Sequence, residues 1–130
     1  MFSNIEILKR INAVAERDGR YRKEGFLFVL AGLEYTVSKL PQRRHLSGQE
    51  LSKGIAEYAR DQYGYLAKTV LRNWGITKTD DFGELVYLMI DEGLMSKTEE
   101  DKKEDFHDVF RFDEEFDWKN LGSPDFPERL

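Results

Sequence analysis

Cysteine is absent from the 130 residues. Disulfides, thiolate nucleophiles and cysteine-ligated zinc are excluded with it. Histidine is scarce: His45 and His107 are the only imidazoles. Neither sits in a nucleophile motif, and the chain holds no Gly-x-Ser-x-Gly elbow, phosphate-binding Walker loop or dinucleotide fingerprint. Long apolar runs are also missing. The longest, residues 26–33, falls far short of the ~20 residues of a membrane span. The first residues have no charged stretch followed by an apolar core, so no secretory signal is expected. No cofactor, no metal and no membrane partner are expected, and the expected location is the cytoplasm.

What is present is an ordinary apolar fraction, 40%, with 35% charged residues. That balance can support a hydrophobic core, and the length suits one domain. The net charge of −5 is divided unevenly. Residues 1–78 carry 14 Lys and Arg against 8 Asp and Glu, whereas residues 79–130 carry 6 against 17. The plain expectation is a folded molecule whose two parts attract each other. The sharper one is a basic face for a partner, with an acidic tail that competes for it.

The chain is organised around residues 45–94. Ser47 stands three residues before Glu50, the capping-box spacing, and Leu46 and Leu51 fill the staple positions. Leu51, Ile55, Tyr58, Ala59, Leu66, Val70, Leu71 and Trp74 then mark one helical face, with a kink or a junction of two helices expected at Gly64. Trp74-Gly75-Ile76 reads as a Schellman stop. Thr79 is read as the cap of a further helix, with Asp80 and Asp81 in the first turn and Phe82, Leu85, Val86, Met89 and Ile90 on its apolar face. Glu92-Gly93-Leu94 repeats the stop.

Two more helices are expected upstream. Over residues 4–18 the apolar stripe is Ile5, Leu8, Ile11 and Ala15, flanked by Ile7 and Val14, with Asn4 as cap and Gly19 as stop. Over residues 22–40 Phe26, Val29, Leu30, Leu33, Val37 and Leu40 repeat at helical spacing until Pro41. Strand is the rival there, because Phe26, Phe28 and Leu30 alternate. The fold class is therefore mainly α, four to five helices in one domain over 1–118, with 119–130 an extended tail. Residues 94–95 and 109–112 offer a short C-terminal hairpin, which would make the second half winged-helix-like.

The candidate site residues fall into two groups. Arg43, Arg44 and His45, with Lys53, Arg60, Lys68 and Arg72, form either a basic surface for phosphate or a scatter of solvated charges. Nucleic acid is disfavoured, because the presumptive recognition helix carries Glu84, Asp91 and Glu92 and no Lys or Arg. Phe112, Phe116 and Trp118 lie in a strip interleaved with acids, suited to docking on a basic, apolar groove of this chain or of a partner. Asp101, Glu104, Asp105, His107 and Asp108 are hard-metal ligand types but lack an EF-hand spacing. The expected function is a non-catalytic interaction module with an unidentified protein partner or with itself. The alternatives are a winged-helix nucleic-acid binder and a small enzyme with a site between helices.

Residues 44–51, Tyr58-Ala59, Trp74-Gly75-Ile76, Thr79-x-Asp81-Phe82-Gly83-Glu84 and Phe106-x-Asp108-Val109-Phe110 resemble a small bacterial family of conserved hypothetical proteins of planctomycete and verrucomicrobial type. The resemblance covers most of residues 5–116. It implies a bacterial, cytoplasmic protein and transfers no activity, cofactor or site residue.

Overall fold

In the computed structural model, which describes residues 2–117, six α-helices follow one another: α1 (Asn4–Asp18), α2 (Lys23–Ser38), α3 (Gly48–Tyr63), α4 (Ala67–Asn73), α5 (Thr79–Asp91) and the single turn α6 (Phe112–Glu115). Short 3-10 turns occupy Gly64–Leu66 and Lys103–Phe106. The expected tail and Trp118 lie outside the described residues.

Helix α2 runs through the middle. It packs against α3 on one side, α5 on another and α1 on a third. Phe26 and Val29 on α2, Ile55 and Ala59 on α3, and Phe82, Leu85 and Met89 on α5 are all fully enclosed. The helical reading of residues 22–40 wins over the strand because this element is apolar nearly all round, as a central helix must be.

Local punctuation agrees with the sequence at most ends. The Ser47 hydroxyl accepts from the Glu50 amide at 3.1 Å, and the Glu50 carboxylate accepts from the Ser47 amide at 3.0 Å. Helix α4 closes in a Schellman motif: the Ile76 amide reaches the Leu71 carbonyl at 2.9 Å and Gly75 takes φ +94°. The Leu94 amide closes α5 on the Met89 carbonyl in the same way.

The capping box carries a prediction. Arg44, bound through both terminal guanidinium nitrogens at 3.1 and 2.8 Å, and then the Ser47 amide pull the Glu50 carboxyl down to about 2. A depressed carboxylate adds stability above its unfolded pKa, near ~4.3, and loses it as pH falls through the folded value. Ser47→Ala with Glu50→Ala should lower stability by ~1–2 kcal/mol near neutral pH. The deficit relative to the parent protein should shrink as pH falls from about 4.5 towards about 2. Thermal melts across that range check both parts.

Five expectations need correction. Ser3, not Asn4, caps α1, accepting from the Glu6 amide at 3.2 Å. The inward line of α1 is Ile11 and Val14, both buried, with Ile7 partly buried beside them; Ile5 and Leu8 stay 66% and 46% exposed. Helix α1 rests mainly on α2, so only a narrow stripe is covered and its first turn projects beyond the core. Leu66 is likewise 47% exposed. The 3-10 turn after Tyr63 breaks the helical phase, and Ala67 and Leu71 point inward instead.

The fourth concerns the C-terminal half. Among the described residues there is no strand, so the hairpin and the winged-helix likeness are not formed. Residue 94 is consumed in closing α5, and residues 109–110 form a bend that leads through Arg111 into α6, which begins at Phe112. Phe106, Phe112 and Phe116 are all buried, the first at the end of the Lys103–Phe106 turn and the other two in and at the end of α6. Residues 94–117 thus make an irregular strap over α5 and the start of α3.

Thr79 is central to the strap. It is the first residue of α5 and is buried. Its hydroxyl donates to the Phe106 carbonyl at 2.7 Å and accepts from the Val109 amide at 3.0 Å. The capping role expected of it passes to Asp81, whose carboxylate accepts from the Thr77 and Lys78 amides at 2.9 and 3.2 Å.

Candidate functional site

The strap, the end of α2, the start of α3 and the end of α5 enclose a cleft of about 510 Å³. Its apolar lining residues are Leu33 and Val37 from α2, Leu46 and Leu51 at the start of α3, Val86 and Ile90 from α5, and Leu94, Met95 and Phe106 from the strap. These positions come together because each helix brings one turn of its apolar face to the same end of the bundle. Close approach of the strap to α3 and α5 is allowed by Gly48 and Gly83, where an added Cβ would press on Phe106 at 2.9–3.1 Å and, at Gly48, on Asp105 Cβ at 2.8 Å.

Polar side chains share the lining, among them Ser47, Ser96, Lys97, Lys102 and Asp105, and Tyr87 stands out from them. The Tyr87 hydroxyl is enclosed and has no hydrogen-bond partner. Burial, and then the carboxylates of Asp101, Asp105 and Glu104, push its pKa up. It therefore stays a neutral donor. Nothing in its local sequence distinguished Tyr87 from a packing residue, because its role depends on the strap laid beside it.

The rim is made of ion pairs. Arg43 meets Glu34 with two bonds of 3.0 and 2.9 Å, and Arg44 meets Glu50. His45 Nε2 lies 2.5 Å from Asp101 Oδ2 on the strap. Burial opposes ionisation of Asp101, but the Thr98 amide and the His45 ring hold its carboxyl below the usual range. Three of the predicted site residues, Arg43, Arg44 and His45, thus converge at the mouth of this cleft. Their cations already face carboxylates instead of presenting a bare phosphate-binding surface.

The other group converges elsewhere. Arg60 donates to Glu115 at 2.9 Å, and Lys68 pairs with Asp113. Lys68 first, with help from Arg111 and Arg72, lowers the Asp113 pKa. Phe112 and Phe116 are 6% and 5% exposed, their rings 5.1 Å apart and edge to face, with Phe82 against Phe112 at 5.8 Å. The acidic, aromatic strip therefore docks on its own domain, over the α3–α4 junction. Lys53 is exposed and belongs to neither group.

Among the described residues, several ion pairs join the two parts of the charge division. Arg17–Glu92, Arg20–Glu84, His45–Asp101, Arg60–Glu115 and Lys68–Asp113 all join the basic first part to the acidic second. Each is at least partly exposed, so solvent screening keeps its contribution small. The strap's buried phenyl groups hold it more firmly than its charges do.

The acids of the strap do not converge. Asp101 serves His45 and Thr98, Asp105 accepts from the Lys102 amide, and His107 lies 2.7 Å from Asp80. Among the described residues no three His, Asp or Glu side chains gather as a metal site, and no helix is long and apolar enough to cross a membrane. Compared with protein-family models, curated proteins and solved structures, the chain matches none of them.

Proposed function

We propose that this chain is a non-catalytic interaction module of a bacterial cytosol, which takes an apolar segment of a partner protein into the cleft between α2, α5 and the strap. The carrying observation is the cleft itself: a cavity of recognition-pocket size (such pockets run ~300–1,000 Å³) in which apolar side chains from three helices and the strap stand among polar ones, inside a rim of exposed ion pairs. Apolar walls supply the affinity, and rim charges set orientation and exclude wrong partners. Arg43–Glu34 and Arg44–Glu50 cost little to exchange for a partner's carboxylates, since exposed ion pairs are screened by solvent. The Tyr87 hydroxyl adds one buried donor for a backbone carbonyl of the incoming segment.

An enzyme in this cleft would need a group tuned toward reaction. Burial moves Tyr87 the other way, away from the phenolate that could act as a base. The interaction reading uses the same hydroxyl as it stands.

A photo-crosslinking residue placed at Leu94, with a control at Lys9 on α1, tests the reading. The expected result is a discrete protein adduct from position 94 that is absent from position 9 and lost when Leu33→Glu is added. An adduct with the chain itself would assign the cleft to self-association. No adduct from position 94, or one that ignores Leu33→Glu in a protein that still melts cooperatively, would overturn it.

A further inference from the structure

The charge left unanswered at the cleft is of one sign. Lys97 and Lys102 on the strap line it, and among the described residues neither ammonium group has an ion-pair or hydrogen-bond partner. The Tyr87 hydroxyl has none either. All three can donate. The carboxylates of the lining are already engaged. Glu34 accepts two bonds from Arg43 at 3.0 and 2.9 Å. Asp101 accepts from the Thr98 amide at 2.7 Å and lies 2.5 Å from His45. Asp105 accepts from the Lys102 amide at 3.1 Å. Glu99, Glu100 and Glu104, also on the strap, are exposed and do not line the cleft. Beside the apolar side chains there are thus free cationic donors, and no carboxylate without a donor of its own.

The molecule shows elsewhere how such a surface is covered. In residues 112–116, Phe112 and Phe116 are buried, while Asp113 beside the first meets Lys68 and Glu115 beside the second meets Arg60. Each aromatic anchor goes in, and the acid next to it takes a cation. We propose that the cleft receives a segment of the same chemistry from a partner protein: large apolar residues seated against Leu33, Val86 and Met95, with neighbouring Asp or Glu side chains answering Lys97 and Lys102. This rests on reading the cleft as a protein-binding face, and adds the chemical class of what binds there.

The two parts of the segment do different work. Burial of its apolar residues supplies most of the affinity. Its acids add less, because Lys97 and Lys102 are exposed and their attraction is screened. They set the choice of partner instead. A segment with Lys or Arg at the same places would meet two ammonium groups of like charge, and would find the lining carboxylates occupied. Arg43 and Arg44, paired to Glu34 and Glu50 at the same mouth, leave the two lysines as the cations free to discriminate.

Selection from a displayed library of random peptides on the purified full chain tests this. The enriched peptides should combine large apolar residues with adjacent Asp or Glu, and Leu33→Glu should abolish their binding. Lys97→Ala with Lys102→Ala should weaken the same peptides about two- to tenfold, the scale of two exposed charge contacts, and make the binding less sensitive to salt. Selection repeated on Lys97→Glu with Lys102→Glu should exchange the acids for Lys or Arg. Both positions are exposed, so these variants should melt like the parent protein. Peptides that need Leu33 but carry no acids, or whose acids ignore both lysines, would overturn this inference and leave the cleft a protein-binding face. No enrichment, or peptides indifferent to Leu33→Glu, would overturn that reading as well. Self-association of the chain abolished by Leu33→Glu would place a second copy in the cleft and overturn the partner segment.

Discussion

Gly54→Ala should destabilise the protein by about 2–4 kcal/mol, although helix propensity alone favours alanine over glycine by ~1 kcal/mol. A Cβ at residue 54 would lie 2.0 Å from Thr36 Oγ1, 2.5 Å from its Cγ2 and 2.8 Å from its Cβ. Thr36 has little room to turn away. It is β-branched, and its hydroxyl donates to the Gly32 carbonyl at 2.7 Å. One turn along, Gly32 makes the reciprocal close approach, with an added Cβ only 3.1 Å from Ile55 Cγ1. The two central helices α2 and α3 therefore meet through small residues, and a methyl group there must push them apart along the main packing surface. Thermal melting should show a fall of about 10 °C, at roughly 4 °C per kcal/mol for a domain of this size. Adding Thr36→Ala removes the two nearest atoms and should recover part of the loss. A melting temperature unchanged or raised by Gly54→Ala would show that the helices are not in contact at this point.

Thr79→Val should cost about 2–3 kcal/mol while leaving shape and volume nearly unchanged. The substitution removes the hydroxyl that satisfies the Phe106 carbonyl and the Val109 amide at once. Two backbone groups would then be enclosed without partners, at ~1–3 kcal/mol each, partly relieved by rearrangement. Thr79→Ser keeps both bonds and loses one methyl, so it should cost well under half as much. The comparison isolates hydrogen bonding from packing. Exchange at the Val109 amide should accelerate in the valine variant far more than in the serine variant. Equal melting temperatures for the two would show that the strap is held by its phenylalanines alone.

Much of the fold was legible before any coordinates. The ends of α3, α4 and α5 are written in residues that interact within five positions of one another: Ser47 with Glu50, Ile76 with Leu71, Leu94 with Met89. Signals of that range survive in a single sequence because chain connectivity already brings the groups together. Rotation of a helix about its axis does not. The spacing of α1 allowed Ile5 and Leu8 inside as readily as Ile7 and Val14, and only the position of α2 decides between them. Thr79 shows the same limit. Its place at a helix start suggested a cap, whereas its hydroxyl is turned inward to a segment 27 to 30 residues away.

The site divides along the same line. Arg43, Arg44 and His45 were recognisable as a cluster because they are adjacent, and the strip around Phe112 and Phe116 because acids and aromatics alternate there. That the first group frames a cleft and the second covers Arg60 and Lys68 was not readable. His45 and Asp101 are 56 residues apart, and Arg60 and Glu115 are 55. No spacing rule connects such pairs, and the same charges would suit an open basic face equally well.

By itself the sequence determined a mainly helical chain, the places where its helices begin and stop, and a basic part set against an acidic one. These follow from backbone sterics, local capping and net charge, which act over one or two turns or need no geometry at all. The tertiary structure alone decided which faces are covered, that the C-terminal strap wraps the bundle instead of pairing as strands, and that a cleft opens beneath it. Those outcomes depend on contacts across long loops, where many arrangements satisfy the same pattern and only close packing of the particular side chains selects one.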